Sequence, residues 1–209
     1  MIRRLTFASC YVYSPLGAGI ACERSRLLRS LLKARDPHFM LRYAERVREQ
    51  AAEQSVLAGY FGADAVLVPV PSSSAGKRRA GSVTEYLAHA LVGLGLGRRA
   101  WPGLHRARTV PKSATCRGGS RPTVGVHYDS LDVEPAADVC GDLVLIDDVV
   151  TKGRTLLAAS WRLQEAFPQA RVRAFALLRT MGMVDGLDRL LDPCVGEIRW
   201  RAGDAHREP

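Results

Sequence analysis

Five cysteines, Cys10, Cys22, Cys116, Cys140 and Cys194, are scattered with no two at CxxC spacing. That arrangement supports neither a zinc ribbon nor a disulfide framework, so free thiols in a reducing compartment are expected. No apolar run approaches the roughly 20 residues that a membrane-spanning helix requires. The opening MIRRLTFASCYVYSPLGAG has basic residues near its front, but its apolar stretch is short and broken by Ser, Pro and Gly. No signal peptide is read there, and a cytoplasmic protein is expected. Internal repeats and low-complexity segments are missing, which excludes solenoids and disordered tracts. Acidic residues are absent between Glu85 and Asp129, an interval that holds Arg98, Arg99, Arg106, Arg108, Lys112, Arg117 and Arg121 in a chain of net charge +9. Such a block attracts polyanions, whether phosphates, pyrophosphate or nucleic acid; the competing reading is a solvated basic face.

What is present is ordinary for a globular protein. The 209 residues, 47% apolar and 24% charged, suffice for one α/β domain with a full core. Residues 5–13, LTFASCYVY, have the aromatic and β-branched character of a strand. Residues 22–35 and 38–58 show helical spacing, with Asp36-Pro37 punctuating between them. AVLVPV, 65–70, is a short apolar run of strand length, buried on both faces. The polar loop PSSSAGKRRAG follows, and Ser82 with Glu85 makes a capping-box pattern that predicts a helix to about Leu96. Residues 98–123 read as irregular, VGVHY (124–128) as a strand, 143–147 as a buried strand, Thr155–Phe167 as a helix, and 171–178 and 195–200 as strands. The tail AGDAHREP is expected to fray. Trp101 and Trp161 read as packing residues, and His127 and Tyr128 as structural. Strands alternating with helices imply an α/β fold, a mainly parallel twisted sheet flanked by helices, with ligand loops along one edge. The expected organisation is an N-terminal strand and helical extension or hood over 1–62, a core over 63–200 and a tail over 201–209.

LVLIDDVVTKGRT, 143–155, carries the chemistry. Its strand delivers Asp147 and Asp148 to the sheet's carboxyl edge. Carboxylates accept hydrogen bonds from sugar hydroxyls and suit a hydrated Mg²⁺. The turn Thr151-Lys152-Gly153-Arg154-Thr155 opens a helix, whose free N–H groups and dipole favour a phosphate monoester. One segment thus offers a diol acceptor pair beside a phosphate cradle, a description that ribose 5-phosphate fits. An ordinary strand-to-helix turn with an acidic N-cap is the bland alternative.

These thirteen residues resemble the phosphoribosyl pyrophosphate (PRPP) signature of type I phosphoribosyltransferases. The resemblance implies that fold, with Asp147 and Asp148 as diol ligands and Mg²⁺ contacts (through water) and Thr151, Lys152, Gly153, Arg154 and Thr155 as the 5-phosphate loop. It also implies that VPVPSSSAGKRRAG, 68–81, is the pyrophosphate loop, with Ser72, Ser73, Ser74, Lys77 and Arg78 as its binding residues. Arg106, Lys112, Arg117 and Arg121 are candidates on a flexible loop closing over the site. Lys152 stands where the family usually has Thr or Ser. Thr151 stands where hypoxanthine-guanine enzymes place an aspartate near the base, which argues against that subclass. The VPVP strand, the Arg-rich middle segment and the late DDVxTxG pattern are together similar to the competence-protein ComF group over residues 65–180. The four-cysteine zinc ribbon common in that group is missing, and its usual glutamine and asparagine are replaced around Ser113 and Thr123.

Two functions follow from the resemblance. One is an enzyme that binds Mg²⁺–PRPP, transfers the phosphoribosyl group to a nitrogenous base and releases pyrophosphate. The other is a non-catalytic PRPP- or nucleotide-binding module that meets DNA or RNA through segment 98–121. No membrane partner is expected, and family members are often homodimers.

Overall fold

The computed structural model describes residues 2–52, 55–75, 81–111, 121–182 and 184–209. Seven strands form a central sheet in the order β3 (Arg99–Ala100), β2 (Val66–Pro69), β6 (Asp142–Val150), β7 (Arg171–Thr180), β1 (Arg4–Tyr13), β8 (Leu191–Arg201), β9 (Asp204–Glu208). The first five are parallel to their neighbours, and β8 and β9 close the far side as antiparallel strands. A separate antiparallel ribbon pairs β4 (Leu104–Arg106) with β5 (Leu131–Val133).

Helices cover both faces, which is why the inner strands read as continuous apolar runs. On one side α1 (Ile20–Ala34), α2 (Pro37–Ala51) and α3 (Val83–Gly93) pack Leu28, Leu32, Met40, Leu87 and Leu91 against Val144, Ile146 and Phe175. On the other, α4 (Val124–Asp129) and α5 (Arg154–Ala166) pack Val124, Leu156, Leu157 and Trp161 against Leu143, Leu145, Phe7 and Ile198. The strict alternation along β6 follows from the two-residue period of a strand. Fully burying each of these side chains contributes about 1.5–3 kcal/mol. Trp101 and Trp161 both lie in the core, the latter donating Nε1–H to the Ile2 carbonyl at 2.7 Å.

The helix starts obey local rules. Asp36 Oδ1 accepts from His38 N at 2.8 Å and Phe39 N at 3.3 Å, with Pro37 as the first helical residue of α2. Ser82 and Glu85 form the reciprocal capping box of α3.

Four expectations need correction. VGVHY is not a strand: it forms α4, because Thr123 Oγ1 accepts from Val126 N at 3.3 Å and starts a helix there. The buried residues Val124 and His127 are three apart, a helical spacing that five residues are too few to reveal. Segment 98–123, read as irregular, contains β3 and β4. The tail does not fray. Ala202 and Gly203 take positive φ of 50° and 79°, the conformation of a two-residue hairpin turn, and β9 pairs along β8 with Ala205 fully buried. Residues 1–62 are not an appendage either: β1 lies inside the sheet between β7 and β8, because a ten-residue strand this buried needs a neighbour on each side.

Truncation after Arg201 is therefore expected to lower the thermal midpoint by about 5 °C or more, since each kcal/mol is worth roughly 2–4 °C in a chain of this size. Differential scanning calorimetry reads the shift, and an unchanged midpoint would mean that β9 is not docked.

Candidate functional site

Parallel β2, β6 and β7 end along one edge, and the candidate residues gather there. β2 stops at Pro69, with Val70 N donating to the Ile146 carbonyl at 2.9 Å. Loop 71–75 thus leaves the sheet beside Asp147. β6 itself continues through both aspartates to Val150. Beyond the reach of β2, Asp148 N finds another acceptor, Asp147 Oδ1, at 2.9 Å.

The two carboxylates have different surroundings. Asp148 forms an ion pair with Lys33, from the last turn of α1. Asp147 is half-buried, and burial raises its pKa from 3.8 to about 6, opposed in part by the positive charges of Lys33 and Arg106. Lys33 was no site candidate in the sequence: it lies 115 residues from Asp148, and only the fold joins them.

Arg106, a flexible-loop candidate by sequence, is instead a buried strut in β4. Its guanidinium donates to the Ser72 carbonyl (Nε, 3.2 Å), the His127 carbonyl (Nη1, 3.2 Å) and Ser130 Oγ, and Nη2 meets His127 Nδ1 at 3.2 Å. Burial lowers its pKa to about 10, with Asp147 opposing. Burial, then Arg106 and Arg154, push His127 down to about 4. His127 is therefore neutral at pH 7, and its Nδ1 is assigned as the acceptor from Arg106. The loop's backbone at Ser72, Ser73 and Ala75 is held from the same side. The Ser73 carbonyl accepts from Val110 N at 2.8 Å, and Ala75 N donates to Thr109 Oγ1 at 2.9 Å. Ser72 and Ser74 are exposed. Lys77, Arg78, Lys112 and Arg117 lie outside the described residues. Arg121 is exposed, next to Pro122 and the start of α4.

After Val150 the chain turns through Thr151 and Lys152 to Gly153 and enters α5. Gly153 has φ +82°, and a Cβ there would lie 2.5 Å from Ile198 Cδ1, so both backbone and space require glycine. The first-turn N–H groups of α5 have no intrahelical acceptors, and they point the positive helix end towards the edge that carries the aspartates. Thr151 Oγ1 lies 3.2 Å from Thr180 Oγ1, at the end of β7. The side chains of Lys152 and Arg154, candidate phosphate cations, are turned to a carboxylate of the chain itself. Arg154 holds Asp204 with two hydrogen bonds, Nε–Oδ1 at 2.6 Å and Nη2–Oδ2 at 2.5 Å, and Lys152 Nζ lies 3.4 Å from Asp204 Oδ2. Asp204 was hidden in a tail read as frayed; the Ala-Gly turn signal just before it was the available clue.

The fold thus brings Asp147, Asp148, loop 71–75 and loop 151–155 to one edge. The arrangement can accept hydroxyl donors at the carboxylates and seat an anion on the α5 N-terminus, some residues further along the same chain. Among the described residues no group of three or more His, Cys, Asp or Glu could hold a metal by itself, and no helix is long and apolar enough to cross a membrane. The four described cysteines are free. The described cations of the basic interval are largely engaged within the chain: Arg99 with Asp138 at 2.8 Å, Arg98 with the Asp138 carbonyl at 3.2 Å, Arg108 with the Asp129 carbonyl at 2.7 Å, and Arg106 as above. A broad groove lined by Val133, Pro135, Val139, Phe167 and Ala170 lies at the opposite, amino edge of β6 and faces none of the candidate residues.

No protein-family model matches this chain, and no curated protein matches it. Among solved structures, the chain is similar to a crystal structure of adenine phosphoribosyltransferase, at 16% identity over 73% of this chain and 76% of that chain, with a TM-score of 0.40.

The raised pKa of Asp147 sets a pH dependence. Between about pH 4 and 6 the folded chain binds a proton that the unfolded chain releases, so this contribution is full below pH 4 and is lost as pH rises through 6. Asp147→Asn removes it. The variant is expected to equal the wild type near pH 4 and to exceed it by about 1–2 kcal/mol at pH 7, less than the full shift because the half-buried group is screened. Urea melts of both proteins from pH 4 to 7 measure the difference, which is expected to grow with pH; a difference that shrinks would refute the assignment.

Proposed function

We propose that this protein is a phosphoribosyltransferase-like protein that binds Mg²⁺–PRPP and transfers the phosphoribosyl group to a nitrogenous base, releasing pyrophosphate. One observation carries the reading. Two adjacent carboxylates lie near the end of a buried parallel strand, and past Val150 a turn ending in Gly153, φ +82°, leads into a helix N-terminus.

In this reading Asp147 and Asp148 accept the ribose hydroxyls, and the backbone N–H groups around 151–155 hold the 5-phosphate. The loop at Ser72–Ser74 lies next to Asp147 in the sheet and meets the pyrophosphate. Polar donors aimed at charge that develops on the leaving group lower the barrier, and holding both ends of the sugar removes orientational freedom before reaction. Arg106 contributes by fixing the Ser72 backbone and the field at Asp147. It is held away from the ligand, because four of its five N–H donors are engaged by protein acceptors. Lys33 would exchange its hold on Asp148 for a weaker one when a hydroxyl arrives.

The residues fit a Mg²⁺ that travels with the ligand. Asp147 is a carboxylate whose burial is only partly offset by neighbouring cations, and two carboxylates suit an ion bound chiefly through ligand oxygens and water. When bound, the ion neutralises pyrophosphate charge.

The alternative module that meets nucleic acid through segment 98–121 is less favoured, since Arg98, Arg99, Arg106 and Arg108 already have partners in the chain. The enzyme reading is tested by incubating the protein with Mg²⁺–PRPP and a panel of purines, pyrimidines and pyridine carboxylates, and measuring pyrophosphate. Release with at least one acceptor, reduced about 100-fold or more in Asp148→Asn, is expected from the loss of a charged hydrogen-bond partner. No release with any acceptor overturns the transferase reading.

A further inference from the structure

We propose that Asp204 is an affinity-setting residue: a carboxylate of the chain's own C-terminal hairpin that occupies the cations of loop 151–155 and competes with the phosphate of an incoming ligand. The inference rests on the reading of that loop as a phosphate seat.

The geometry is specific. Arg154, the first residue of α5, is clamped by both Asp204 oxygens at 2.6 and 2.5 Å, while Lys152 reaches the same carboxylate at 3.4 Å. Two of the loop's five residues are thus neutralised from a strand 50 residues away. The clamp is well formed: hydrogen bonding from Arg154, then the Ala205 backbone N–H, holds Asp204 well below the usual carboxylate range. Arg154 Nη1 also donates to the Pro122 carbonyl at 3.2 Å, so the guanidinium is fixed between α4 and β9. The turn at Ala202 and Gly203 positions Asp204 as the first residue of β9, and Arg207 further along the strand anchors it through Nη2 to the Thr180 carbonyl at 2.6 Å.

Two consequences follow from charge alone. A phosphate dianion arriving at the α5 N-terminus meets Asp204 as a like charge already bound to Arg154, the first residue of that helix, and a like charge so placed costs binding. The same dianion draws Lys152 and Arg154 to itself and away from Asp204, so ligand binding loosens the β9 end of the hairpin. The clamp keeps the loop ordered without ligand and holds affinity for free phosphate down. A ligand with a second anchor, such as a diol on Asp147 and Asp148, overcomes it where inorganic phosphate does not.

The experiment compares wild type, Asp204→Asn and Asp204→Ser in calorimetric titrations with inorganic phosphate and with ribose 5-phosphate at fixed ionic strength, alongside their thermal midpoints with and without each probe. Expected are a lower midpoint without probe in both variants, about tenfold tighter phosphate binding than wild type, and a larger midpoint rise on adding phosphate. Folding of the variants is checked by circular dichroism, and either variant alone suffices if the other fails to fold. Equal phosphate affinity in wild type and variants, with ribose 5-phosphate still bound, overturns the role of Asp204 and leaves the phosphate loop standing. Failure of all three proteins to bind either probe overturns the loop reading and the inference with it.

Discussion

The structure depends on one electrostatic constraint: two adjacent carboxylates must be tolerated near the end of a buried strand. Each is supported from a different part of the fold. Lys33 arrives from α1 to Asp148, and Arg106, fixed among Ser72, His127 and Ser130, contributes its field to Asp147. The offset is incomplete, since burial still raises Asp147 to about 6. A ligand that donates hydrogen bonds, or a cation that arrives with it, would complete it. Holding an ionised Asp147 in this place costs folding stability at neutral pH.

A second balance sits one turn further along. The α5 N-terminus is positive and its first residues include Lys152 and Arg154, so without a counter-charge this corner would repel itself. Asp204 supplies that charge from the last strand. The sheet order makes both balances possible. Placing β6 between β2 and β7 puts the serine loop beside the aspartates, and folding β8 and β9 back beyond β1 brings Asp204 to loop 151–155.

The legibility of this arrangement in the sequence followed the range of the interactions. The strand–Asp-Asp–turn–helix segment was readable because its apolar run, acidic pair and glycine are contiguous. The capping box of α3 and the Asp36 cap of α2 were readable for the same reason. VGVHY was misread because β-branched residues at 124 and 126 suggest a strand, whereas the decisive signal was the Thr123 cap just before them. β9 was missed because a strand of five residues has no periodicity to speak of; its partner β8, and the buried Ala205, supply the stability. Lys33 with Asp148 and Arg154 with Asp204 span 115 and 50 residues, and no local pattern announces such pairs. Arg106 was seen as a cation but not as a buried one, since burial is a property of the packed β4–β5 ribbon and α4 rather than of its neighbours in sequence.

In the proposed reading, Asp147 and Asp148 hold a sugar diol while loop 151–155 holds the attached phosphate. A crystal structure of the protein soaked with Mg²⁺–PRPP tests it most directly. Expected are ribose hydroxyls within hydrogen-bond distance of Asp147 and Asp148 and the 5-phosphate on the backbone N–H groups at the start of α5. Ligand density at another edge of the sheet, or the aspartates still held only by Lys33 and their own backbone at saturating ligand, would contradict it.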